Sequence, residues 1–176
     1  MLKQKFLKPI SLLTFIFLCF LTFNGCENQN NISERPANLK EITGKIDKAT
    51  LDKDGNIIID EDTITTDITY IDYEYEGVTI GLLAVRDSKD KVKIVVNTCQ
   101  SCGGSPYAYF VKVGDSIQCQ NCGNMFKIDD LDNLEISGCN PIAIVNKTEK
   151  NGQITINPTE LKALKNKFTN WQGPKA

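Results

Sequence analysis

Two short cysteine motifs, C-Q-S-C-G at residues 99–103 and C-Q-N-C-G at 119–123, constrain this chain more than any other feature. In such a turn the two sulfurs face one point. The glycine after the second cysteine permits positive φ, so backbone N–H groups can turn toward the thiolates. Two of these turns facing each other offer four sulfurs in a tetrahedron, which zinc and iron both accept. The spacing C-x2-C-x16-C-x2-C lies within the range of metal sites. Cys99, Cys102, Cys119 and Cys122 are therefore the candidate metal ligands, and Cys139 in G-C-N-P is a fifth thiol that would be an auxiliary or alternative ligand, a free thiol near the centre or a partner for redox exchange. The competing reading is a pair of structural disulfides in an exported protein.

The sequence contains no histidine. That absence removes the commonest nitrogen ligand, the usual general base and every histidine-containing triad. Carboxylate pairs such as Asp60/Asp62 and Asp129/Asp130 fall in loops, where solvation accounts for them. No catalytic constellation is present, so a redox-active chain of this kind is expected to carry electrons rather than to act as a hydrolase or transferase. A thiol–disulfide oxidoreductase using the two cysteine pairs is an alternative, without the βαβ setting such a site needs. A Cu(I) site aided by Met125 is a weaker one.

Residues 1–25 read as a signal peptide of lipoprotein type. Lys3, Lys5 and Lys8 precede an uncharged apolar run from Ile10 to Phe23, and Gly25 precedes Cys26. The apolar run is shorter than the roughly 20 residues a spanning helix needs. Cys26 is the candidate lipidation site, which would tether the protein to the extracytoplasmic face of a cell membrane. Residues 26–40, polar, Asn-rich and interrupted by Pro36, read as a flexible tether. Removing the three signal lysines leaves 17 basic residues against 22 acidic ones. So acidic a domain is a poor candidate for nucleic acid.

From residue 41 to about 170 the pattern is β-rich. Asp54-Gly55 signals a turn into Ile57–Ile59, and Ile64–Tyr75 alternates as a strand does. Val78–Val85 and Val92–Val96 are nearly continuous apolar runs of the central-strand kind, the second leading directly to Cys99. A hairpin is expected between the cysteine motifs, with Tyr107–Val113 outward and Ser116–Gln118 returning across Gly114-Asp115. Met125–Ile128 is a short return strand. Ile142–Val145 and Ile154–Ile156 are expected to form a hairpin around Asn151-Gly152. Asn157, Pro158 and Glu160 open an amphipathic helix with Leu161, Leu164 and Phe168 on one face. The expected fold is mainly β (α+β): a small antiparallel β-domain with a ribbon-like double cysteine knuckle and a C-terminal helix.

The order ITYIDYEYEGVTIGLLAV, VKIVVNTCQSC, GDSIQCQNCGNMFKI and GCNP resembles the FtrD-like membrane iron–sulfur proteins over roughly Ile57 to Val145. The resemblance implies an iron or iron–sulfur centre, with zinc as the alternative, on the outer face of a membrane. It implies Cys99, Cys102, Cys119, Cys122 and Cys139 as ligands, and an iron permease or redox protein as partner. The residue after the second cysteine, often aromatic in such proteins, is Gly103 here. The chain shows no polytopic membrane segment of its own, so partnership with a permease is expected rather than fusion to one.

Overall fold

Apolar runs without alternation have no solvent face, and the two longest here become inner strands covered on both sides. The computed structural model describes residues 39–135, 138–144 and 146–174; the segment expected to be a signal peptide and Cys26 lie outside them. A central five-stranded sheet is ordered β1 (Lys45–Lys48), β4 (Thr69–Tyr75), β5 (Val78–Arg86), β6 (Val92–Cys99) and β10 (Pro141–Ala143). All its pairs are antiparallel except β1 with β4.

Alternation along these strands divides the core in two. Ile71, Tyr73, Ile80, Leu82, Ala84, Ile94 and Val96 face one side. There they meet isoleucines of a second sheet, in which β11 (Lys147–Lys150), β12 (Gln153–Ile156), β3 (Ile57–Asp60) and β2 (Thr50–Leu51) lie in that order. Tyr70, Leu83, Val85, Val95 and Cys99 face the other side. They pack on a three-stranded sheet of β7 (Phe110–Val113), β8 (Ser116–Cys119) and β9 (Met125–Lys127). The mainly β, largely antiparallel architecture matches the expectation from sequence. The tyrosines of β4 part company accordingly: Tyr70 donates to the Phe110 carbonyl at 3.2 Å, while Tyr73 and Tyr75 stack on the opposite face.

Two local expectations change. The Asn151-Gly152 turn forms, with φ of 54° and 73°, but it joins β11 to β12. The expected partner, the segment at 142–145, instead starts with β10 and pairs with β6. Burial decides this: β11 is mostly exposed, whereas Pro141–Ala143 covers the edge of the central sheet. The C-terminal helix is present but short, α1 at Thr159–Ala163 followed by a 3-10 turn at Lys165–Lys167. Asn157 Oδ1 caps the Thr159 N–H at 3.0 Å. Glu160 reaches Asn146 instead of closing the capping box. Leu161 and Phe168 are buried as the helical face required.

Candidate metal centre

The first knuckle begins where β6 leaves the central sheet, and the second begins at the last residue of β8. Phe110 on β7 pairs with Cys119 on β8, so the hairpin expected between the motifs brings the second knuckle back against the first. The sulfurs of Cys99, Cys102, Cys119 and Cys122 all lie within 4.8 Å of one another. These four are free thiols, which sets aside the pairing of knuckle cysteines as disulfides. Cys99 and Cys119 are fully buried, Cys102 is half-buried and Cys122 is exposed. Cys139 is half-buried against the same core and is not one of the four converging sulfurs.

Each turn is held by its own backbone. In the second knuckle Gly123 has φ 77°, and its N–H donates to the Cys119 carbonyl at 2.9 Å. In the first, the positive φ falls one residue later than expected, at Gly104 (101°) rather than Gly103. A different need explains Gly103. A Cβ there would sit 2.9 Å from the Lys167 side chain, whose stem crosses that position. Lys167 Nζ donates to the Gln100 carbonyl at 2.9 Å, and its own carbonyl accepts from the Gly104 N–H at 2.9 Å.

Other restraints come from far along the chain. Ser101 Oγ donates to the Gly138 carbonyl at 2.7 Å, and the Gln100 N–H to the Asn140 carbonyl at 2.9 Å. The G-C-N-P loop therefore pins the first knuckle. Ser105 Oγ bridges to Asn121 Oδ1 at 2.6 Å, joining the two knuckles directly. Trp171 lies over Gly81, where a Cβ would come within 2.3 Å of its ring, and its indole N–H donates to the Ala108 carbonyl at 3.3 Å. The Lys167 and Trp171 contacts carry no local sequence signal; Gly81 and Gly103 leave room for them.

Four thiols this close share protons. The Cys102 thiol, followed by that of Cys119, holds Cys99 down at about 7. Hydrogen bonds from Cys102, Cys119 and Cys99 hold Cys122 far below the usual thiol range. Cys119 is pushed up by Cys102, Cys122 and Cys99. Cys102 is drawn down by Cys119 but pushed up further by Cys122 and Cys99. The first protons thus leave readily and the last are retained unless a cation replaces them.

A β-domain carrying four convergent thiols on two facing turns defines a class: small thiolate metal-site proteins. Within that class the assignment is direct. The family described as membrane iron-sulfur containing protein FtrD-like matches residues 61–168, and the chain belongs to it. No curated protein matches the chain. A solved structure of the quaternary ammonium Rieske monooxygenase CntA with a bound inhibitor is similar at 18% identity and a TM-score of 0.34. The match covers 52% of this chain and 28% of that one, a likeness too slight to carry an argument. Among the described residues no helix is long and apolar enough to cross a membrane.

Proposed function

We propose that Cys99, Cys102, Cys119 and Cys122 bind a single iron ion through four thiolates, and that the protein carries electrons one at a time beside a membrane. The sulfur spacing carries this reading. A tetrahedron with metal–sulfur bonds of about 2.3 Å has edges of about 3.8 Å. Sulfurs all within 4.8 Å of one another suit a single ion. Sulfide-bridged clusters hold their cysteines farther apart, because the inorganic core stands between them. The family's iron–sulfur description favours iron, which supplies a one-electron couple between its two common oxidation states. Zinc in the same site would be structural only.

The protein's part is to shield and to expose. Cys99 and Cys119 sit in the apolar core, while Cys122 reaches solvent beside Met125, itself 50% exposed. Residues 116–126 carry no charged side chain, so the exposed edge suits a transient redox partner. The finer reading of location is a lipid anchor at Cys26 on the extracytoplasmic face, with residues 26–40 as tether and an iron permease or its redox supply as partner.

Metal analysis and absorption spectra on anaerobically prepared protein test the centre. One iron per chain, sulfur-to-iron charge-transfer colour and no acid-labile sulfide are expected. A colourless protein holding only zinc would end the electron-carrier reading. For the anchor, a diacylglyceryl mass increment on Cys26 and release of Cys26→Ala from membranes are expected; an unmodified, soluble wild type would refute it.

A further inference from the structure

The buried polar atoms of the core are accounted for except at one place. Among the described residues, Asn97 Nδ2 and Thr98 Oγ1 are the buried side-chain polar atoms without a hydrogen-bond partner. Both immediately precede Cys99. They occupy a bulge in β6: Val96 pairs with Ile142 and Cys99 with Pro141, so two residues of β6 are passed over in one step of β10. Bulges re-aim side chains and gather next to functional sites.

The two side chains differ in what they touch. Asn97 is 1% exposed, and its Oδ1 accepts the Phe110 N–H at 2.8 Å. That bond settles which end of the carboxamide is oxygen, leaving the NH2 group as the unused end. Phe110 is the cross-strand partner of Cys119. The Asn97 carboxamide therefore ties the strand ending at Cys99 to the residue paired with Cys119. Thr98 has no such link to the knuckle strands. The surroundings are otherwise apolar, and the Tyr70 hydroxyl already donates to the Phe110 carbonyl. An orphaned buried donor costs about 1–3 kcal/mol, which native cores rarely tolerate without a use for it.

We propose that Asn97 is a positioning residue for the metal centre, its Nδ2–H donating to a ligand thiolate once a metal is bound. This rests on the four-thiolate reading above. Free thiols satisfy one another by sharing their protons. A bound metal displaces those protons and leaves thiolates that only accept. The unpartnered Asn97 amide then gains its partner. Such a bond favours the more negative, reduced state of the centre and raises its reduction potential.

The direct test uses a spin-active cadmium isotope as the bound metal in isotope-labelled wild-type protein. A four-thiolate cadmium resonance is expected, with scalar coupling from it to an Asn97 side-chain proton that is shifted downfield. A four-thiolate resonance without that coupling overturns the proposal while leaving the centre intact; this includes the case of a buried water taking the donor. Failure of the four cysteines to bind cadmium overturns the metal-centre reading itself. In iron-loaded protein, Asn97→Leu should lower the reduced-to-oxidised ratio at fixed solution potential about tenfold, or about 59 mV for a one-electron couple. An unchanged ratio in a folded, iron-replete variant refutes the tuning role.

Discussion

Replacing Cys119 and Cys122 one at a time with serine separates what the metal contributes from what the fold contributes. Both residues offer one sulfur to the same group, but Cys119 is fully buried and Cys122 is exposed. Structural zinc sites supply about 10–16 kcal/mol through four ligands, or about 2.5–4 kcal/mol for each. With metal bound, Cys122→Ser should therefore cost about 3 kcal/mol. Stripped of metal, it should match the wild type to about 0.5 kcal/mol, as surface substitutions do. Cys119→Ser carries the same ligand loss and also buries a hydroxyl among Phe110, Ile117 and Leu131. That adds about 1–3 kcal/mol, which persists when the metal is removed. Urea denaturation of both variants and the wild type, with metal and with a strong chelator, gives all six values, and metal analysis gives occupancy. A Cys122→Ser protein that keeps full occupancy and full stability would refute the four-ligand centre. A metal-free loss in Cys122→Ser as large as in Cys119→Ser would refute the burial argument.

Three further outcomes follow from the packing. Gly81→Ala places a methyl within 2.3 Å of the Trp171 ring, so it should cost about 1–3 kcal/mol and be relieved by a second change, Trp171→Leu; thermal melts of the single and double variants check this, and additive losses would refute it. Lys93 sits with Asp87 at 3.4 Å, both side chains nearly inaccessible, and also meets the half-exposed Asp132. Lys93→Met strands the Asp87 carboxylate and should cost about 3–5 kcal/mol, whereas Asp132→Asn should cost under about 1 kcal/mol; equal losses in chemical denaturation would contradict this. The same group predicts a pH profile. Burial raises the Asp87 pKa, but the Lys91 and Lys89 N–H groups and the Lys93 ammonium outweigh it and bring it below the ordinary 3.8. Burial lowers that of Lys93, and Asp132 and Asp87 outweigh it and bring it above 10.5. A lowered acid stabilises above its unfolded value and a raised base below its own, so the contribution should be constant between about pH 5 and 9, falling under pH 3.8 and again above pH 10.5. A stability difference between wild type and Lys93→Met that varied across neutral pH would refute the assignment.

Much of the fold was legible because its signals are local. Motif spacing, the apolar runs of β5 and β6 and the turn pair Asn151-Gly152 each act within a few residues, where backbone sterics and strand alternation leave few choices. The positive φ of the first knuckle falls one residue past the motif glycine because Gly103 serves packing, not turn geometry. The pairing of β10 with β6 is not legible locally, because a turn signal names where a chain reverses, not how far back its partner lies.

The sequence alone determined that four sulfurs would be presented on two like turns, and that β-strands covered on both faces would carry them. Only the tertiary structure decided what surrounds those sulfurs: Lys167 across Gly103, Trp171 across Gly81, the G-C-N-P loop on the first knuckle and the Asn97 bulge against Phe110. The physical reason is range. Periodicity and turn chemistry are read from neighbours in the chain, whereas these contacts join residues from 13 to 90 positions apart, chosen by which surfaces the layered sheets bury against each other.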